Sequence, residues 1–218
     1  MFNPILIDNK EQIRDGLKQP YLVLKDALMQ DKAEQLYTDL NNAERWERQS
    51  VTQQNFTYQR RQIKIGADMD VHNVPESLLE LYRFLSSEVC LQWVYEISGR
   101  KCVDFMGAAA LYGIGDSISL HNDFMPYDCA SGDKLIRALA FNLYLTKDWH
   151  PDWGGKFVWD TPRAEIVPEF NKLVMFLVGT SSLHLVEPVI SDAPRKRLAV
   201  TGWFMRNREV SRPKLKLS

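Results

Sequence analysis

The chain has 218 residues, 45% of them hydrophobic and 25% charged, the makeup of one globular unit with a sizeable core rather than two independent domains. Its 27 Lys and Arg against 28 Asp and Glu leave a net charge of −1, so bulk charge drives no binding to nucleic acid and any partner must be recognised locally. Cys90, Cys102 and Cys129 are odd in number and form no CxxC, which argues against a disulfide framework or a structural zinc cluster and fits a reducing cytoplasm.

The N-terminal run MFNPILIDNKEQIRD lacks the basic start and apolar stretch of a signal peptide. No segment reaches the roughly 18 apolar residues that span a bilayer, so a soluble protein without a membrane partner is expected. Residues 1–22, with Pro20 near their end, read as an extended lead-in. From Leu24 to Ala43 apolar residues recur at helical spacing, predicting an amphipathic helix. Residues 54–65 place Phe56, Tyr58, Arg60, Gln62 and Lys64 on one face of an imperfect strand. A second helix is predicted from Pro75 to Ser98, before Gly99.

After Gly99 short β-rich runs replace helical periodicity, with strands expected near 103–112, 117–121, 136–145, 156–160, 172–178, 183–189 and 196–205. So many short strands on about 100 residues predict a mainly β protein, a double-stranded β-helix (jelly roll) whose sheet is buttressed from outside by the N-terminal helices. The organisation read from this is a helical and β support region at 1–100, the jelly-roll core at 101–206 and a polar tail at 207–218, all within one domain.

The chemistry concentrates in His121-Asn122-Asp123 and His184. HxD puts two ligands on alternate positions of an extended segment, pointing the same way, and a later strand can close one face of a metal. Two neutral imidazoles and one carboxylate make the facial set of non-haem Fe(II) oxygenases, with positions left open for an oxoacid and O2. HxD alone is common by chance. Arg197 adds weight, because the far carboxylate of a dicarboxylate cosubstrate needs a buried cation that can grip it bidentately. Arg195 has the same strand parity and competes for that role, although its place beside Pro194 suits a solvated rim.

LYGIGDSISLHND, RALAFNLYLTKDWHPDWGG, VPEFNKLVMF, SLHLVEPV and RLAVTGWF, in this order across roughly 105–205, resemble the 2-oxoglutarate/Fe(II) dioxygenases of the prolyl 4-hydroxylase superfamily. The resemblance implies His121, Asp123 and His184 as iron ligands and Arg197 as partner of the far carboxylate of 2-oxoglutarate. Tyr144 would be its second partner, with Tyr112 in the same pocket. Arg137 matches an arginine that holds the target peptide, although its strand parity differs from that of Tyr144, and Trp203 matches a tryptophan near the substrate. Fe(II), 2-oxoglutarate, O2 and ascorbate as reductant are the cofactors implied. The Asp123 carboxylate favours hydroxylation, since related halogenases carry Gly or Ala there.

Three functions are therefore open at this level. A prolyl hydroxylase acting on a protein or peptide comes first, with Arg137, Arg60 and Arg61 as contacts for an extended chain and a lid drawn from 55–66 and 124–135. A hydroxylase of a free amino acid or small natural product is the alternative, because one fold serves many substrates. A non-enzymatic jelly-roll sensor ranks last. His72 and His150 sit alone beside turn residues and are expected to take no part in metal binding.

Overall fold

The computed structural model describes residues 1–53, 56–67, 69–128, 134–190 and 195–208. Two short helices, α1 (Pro4–Asp8) and α2 (Lys10–Gly16), occupy the segment expected to be extended. The Asn3 side chain accepts from the Ile5 amide with Pro4 in the first turn, and Leu6, Ile13 and Leu17 are buried. Lys10 pairs with Glu96 at 2.6 Å and Arg14 donates to the Glu96 carbonyl at 2.8 Å, which ties this segment to a later helix.

The single helix expected over Leu24 to Ala43 is a strand, β1 (Leu22–Leu24), followed by α3 (Gln30–Asn42). Asp26 sits at φ 51, and the Asn171 side chain accepts from the Leu28 amide and donates to its carbonyl, both at 2.9 Å. Ala27 and Leu28 are therefore core residues of an extended segment held by a distant asparagine, although their spacing mimics a helix. β2 (Glu47–Gln53) pairs with β3 (Phe56–Ile65); its polar sequence carries no apolar alternation and went unpredicted.

The long helix expected from Pro75 is two, α4 (Glu76–Leu85) and α5 (Glu88–Ser98). Ser87 breaks it, its hydroxyl accepting from the Cys90 amide and donating to the Phe84 carbonyl. α5 ends at Gly99, φ 68, as a left-handed cap.

The rest is sheet: β4 (Asp104–Tyr112), β5 (Ile118–His121), β6 (Pro126–Asp128), β7 (Lys134–Tyr144), β8 (Phe157–Trp159), β9 (Ala164–Ile166), β10 (Lys172–Leu177), β11 (His184–Val186) and β12 (Arg197–Asn207). The order β1-β10-β7-β12-β4-β3-β5-β11-β8-β9 curls into the expected double-stranded β-helix, so that β1 to β3 complete the sheet of the core strands. Outer-face residues such as Phe105, Leu111, Phe141, Leu143, Leu198 and Phe204 pack with the helices in one apolar cluster. The inner faces of β3, β4, β7 and β12 line a cavity of about 810 Å³. No helix among the described residues is long and apolar enough to cross a membrane. The tail from 209 onward, Cys129 and the Ser191 to Pro194 turn lie outside the described residues.

Candidate active site

One end of the cavity holds a three-residue donor cluster. His121 closes β5 and is the register partner of His184 on β11, and Asp123 follows two residues later in the loop beyond the strand. The Nε2 atoms of His121 and His184 lie 3.6 and 3.5 Å from the two carboxylate oxygens of Asp123, and the donor atoms of all three fall within 4.8 Å of one another. Both imidazoles are set by the same local device: Nδ1 of His121 lies 2.8 Å from the Ser119 carbonyl, and Nδ1 of His184 lies 2.8 Å from the Ser182 carbonyl. An Nδ1–H donated to a carbonyl leaves the Nε2 lone pair turned to the shared centre.

The electrostatics suit that tautomer. His184, packed by Phe157, Trp159 and Phe176, is driven down to about 4 by burial, with Asp123 opposing the shift. Burial raises the Asp123 carboxyl, yet the His121 hydrogen bond, both imidazoles and a hydrogen bond from Trp203 outweigh it and bring it to about 2. Near neutral pH the set is a neutral buried imidazole beside an ionised carboxylate.

Arg137 and Trp203, expected near a substrate, both lie against Asp123. Arg137 Nη1 is 3.5 Å from Oδ1, and its guanidinium stacks 3.7 Å from the Trp203 ring centroid. A β-bulge explains how Arg137 reaches the cavity despite its odd spacing from Tyr144. Phe204 pairs with Leu139 but Met205 pairs with Arg137, which leaves Ala138 as an extra residue on β7. Ala138 and Leu139 both join the outer core cluster, so parity flips and Arg137 faces inward with Asn142 and Tyr144. Arg100 donates to the carbonyls of Ala138 and Val178 and so holds the bulge.

At the other end Arg197 is 1% exposed, at the start of β12. Its guanidinium lies 4.2 Å from the Tyr112 ring centroid and 5.7 Å from that of Tyr144, and its Nε donates to the Gly155 carbonyl at 2.5 Å. None of the ion pairs among the described residues includes it. Burial raises the Tyr144 phenol well above its ordinary range, so it stays a proton donor. Gly155 sits at φ 67, and a Cβ there would lie 2.8 Å from Arg197 Cδ; the Gly154-Gly155 turn thus seats the arginine as well as joining strands. Arg195 is exposed, 3.4 Å from Asp148.

Of the other expected residues, Arg60 is buried in the cavity wall, whereas Arg61 is exposed on the opposite face of β3 and cannot share a contact with it. Residues 56–65, expected as lid, are paired strand. His72 and His150 lie outside the donor cluster, which is the one such group among the described residues. Residues 107–205 match the model of the 2OG-Fe(II) oxygenase superfamily.

That segment, slightly under half of the chain, is similar to a 2OG-Fe(II) oxygenase core. Over 147 residues the chain is 32% identical to prolyl 3-hydroxylase OGFOD1 of Xenopus laevis, an alignment covering 62% of this chain and 26% of that protein. The Mus musculus counterpart is 30% identical over 147 residues, with 62% and 25% covered. The chain thus spans about a quarter of the length of the curated relatives it matches. In fold it is similar to a Pseudomonas putida prolyl-4-hydroxylase, with TM-score 0.68, 22% identity and 91% and 99% of the two chains covered. A Trichoplax adhaerens prolyl hydroxylase in complex with a hypoxia inducible factor peptide fragment gives TM-score 0.64 at 17% identity, with 93% of each chain covered.

This donor set fits Fe(II): two imidazole Nε2 atoms, each with its Nδ1 engaged by a backbone carbonyl, and one carboxylate sit on one side of an open cavity. Arg197 with Tyr144 fits the free carboxylate of 2-oxoglutarate, the compound in the name of the matched family. Gly155 and the Ala138 bulge went unforeseen. A Gly-Gly pair is compatible with a turn but does not say what packs on it, and the bulge has no glycine to mark it.

Proposed function

We propose that this chain is an Fe(II)- and 2-oxoglutarate-dependent dioxygenase that hydroxylates a prolyl residue of a protein or peptide. One observation carries the reading: a single cavity has a three-donor metal cluster at one end and, at the other, a buried arginine without a carboxylate partner among the described residues. The prolyl target is supported by the names of the relatives, several of which are prolyl hydroxylases and one of which was solved with a peptide. Cys90 and Cys102 are free and buried, which suits a reducing cytoplasm.

In this reading His121, Asp123 and His184 hold the metal, and Arg197 and Tyr144 hold the outer carboxylate of 2-oxoglutarate while Tyr112 packs against the guanidinium. Fe(II) held there would supply the redox chemistry that couples 2-oxoglutarate and O2 to the substrate, the products being succinate, CO2 and a hydroxylated substrate. Asp123 stays ionised because His121, His184 and Trp203 stabilise its charge. Arg137 and Trp203 fix its carboxylate plane and form the wall on which a target residue lies. The apolar packing around His184 keeps water from its inner face.

The test is to incubate the protein with Fe(II), 2-oxoglutarate, O2 and ascorbate in a host lysate. Succinate formation and a mass gain of one oxygen on a prolyl residue are expected, both lost in Asp123→Ala. Oxygen gained only by free amino acids or metabolites reassigns the substrate to small molecules, and absence of 2-oxoglutarate turnover contradicts the enzymatic reading.

A further inference from the structure

Arg60 is a second buried cation of the same cavity, carried by β3 rather than β12. It is 5% exposed. Its Nη1 donates to Thr201 Oγ1 at 2.9 Å and its Nη2 to Gln62 Oε1 at 3.2 Å, and its guanidinium lies 4.9 Å from the Tyr58 ring centroid. Its Nε is buried without a hydrogen-bond partner. Every hydrogen-bond partner is therefore a neutral oxygen, the ring contact is uncharged, and no ion pair among the described residues includes Arg60. A guanidinium brings five N–H donors and a fork matched to a carboxylate, and burying it without a counter-charge is unfavourable unless a ligand brings one.

The charge balance of the cavity leads the same way. Arg137 lies against Asp123 and the exposed Lys64 pairs with Glu47, so the positive surplus of the described lining is Arg60 and Arg197, which no ion pair among the described residues includes. A divalent metal and the dianionic cosubstrate cancel each other and leave this positive surplus in place. The two buried arginines have separate seats, Arg197 packed on the Tyr112 ring and Arg60 held by Thr201 and Gln62. The cosubstrate's carboxylate on Arg197 therefore leaves Arg60 unneutralised.

We propose that the Arg60, Gln62 and Thr201 wall is a second carboxylate subsite, and that it takes a carboxylate of the substrate, either an acidic side chain beside the target residue or a terminal carboxylate. This rests on the substrate lying in this cavity, as under the function proposed above, but its test needs no turnover. Arg60 would then select acidic substrates, while Arg197 serves the cosubstrate.

The experiment measures binding by calorimetry to protein loaded with Mn(II), a metal that holds the site without turnover, and 2-oxoglutarate. N-acetyl-L-proline is compared with N-acetyl-L-prolinamide, and N-acetyl-aspartyl-prolinamide with its asparaginyl counterpart. At least one acid probe is expected to bind about tenfold tighter than its neutral partner, the order set by a charge-assisted contact, and the pair that shows it identifies the carboxylate's source. Arg60→Gln should reduce that ratio to about one with 2-oxoglutarate affinity kept within about twofold, and Arg60→Lys, charged but without the fork, should keep part of it. Should the Gln variant fail to fold, the Lys variant decides alone and must lower the preference. Absence of an acid preference in the unaltered protein, including no detectable binding of either acid probe at millimolar concentration, overturns the proposal. So does a preference that survives Arg60→Gln. Loss of 2-oxoglutarate affinity with the preference intact also overturns it and makes Arg60 a positioning residue for the cosubstrate. If hydroxylation is never found but the acid preference depends on Arg60, the subsite stands and only the function proposed above falls.

Discussion

The two ends of the cavity are built by opposite strategies. At the metal end each histidine is oriented by a carbonyl two residues earlier in its own segment, Ser119 for His121 and Ser182 for His184, and a strand pairing brings the segments together. At the carboxylate end nothing local orients Arg197; its seat is made by Tyr112, Tyr144 and Gly155 from three other parts of the chain. Local orientation tolerates distant change, whereas a seat assembled from remote pieces fails when any one of them moves.

The largest expected effect is at the metal end. Asp123→Ala removes the anionic donor and should lower hydroxylation by on the order of a thousandfold or more, since the metal's contribution of several kcal/mol is lost with it. Succinate release in a timed assay checks this. Next, Arg197→Ala should cost about 2–5 kcal/mol of 2-oxoglutarate affinity, a rise of at least about 30-fold in the concentration required. Arg195→Ala should leave that concentration unchanged, and the reverse pattern would show that the strand register places the wrong arginine at the seat.

Two smaller effects separate local from remote orientation. Trp203→Phe keeps a ring beneath Arg137 but removes the indole N–H that helps lower the Asp123 carboxyl, so metal affinity should fall about 10- to 100-fold by equilibrium dialysis. Gly155→Ala forces a Cβ against Arg197 at a positive φ, and should destabilise the fold by about 1–3 kcal/mol in denaturant melts. It should also weaken 2-oxoglutarate binding while leaving metal affinity intact, a split that an account with both ends equally rigid would not give.

The same contrast decides what the sequence made legible. His121 and Asp123 stand two residues apart and are oriented by neighbours, so the motif and its chemistry are read together. Arg197 and Tyr144 are legible through strand parity and through the family resemblance. Arg137 defeats parity because the Ala138 bulge shifts β7 by one residue, and the bulge is held by Arg100 from outside the strand. The helical layer misleads in the same manner. Ala27 and Leu28 have helical spacing but are fixed by Asn171, and the helix read from Pro75 is cut at Ser87 by a capping hydroxyl that interrupts no apolar pattern. Arg60 was legible as sharing one strand face with Tyr58 and Gln62 and as a contact for an extended chain, but its burial without a counter-charge emerges only when β3, β4 and β12 are packed together.

The most direct test of the two-ended cavity is to titrate metal and then 2-oxoglutarate into the unaltered protein, Asp123→Ala and Arg197→Ala, under anaerobic conditions. The account predicts one Fe(II) per chain in the unaltered protein and in Arg197→Ala, loss of stoichiometric metal in Asp123→Ala, and loss of tight 2-oxoglutarate binding in Arg197→Ala despite its bound metal. Stoichiometric iron in Asp123→Ala, or unchanged 2-oxoglutarate affinity in metal-loaded Arg197→Ala, would contradict it.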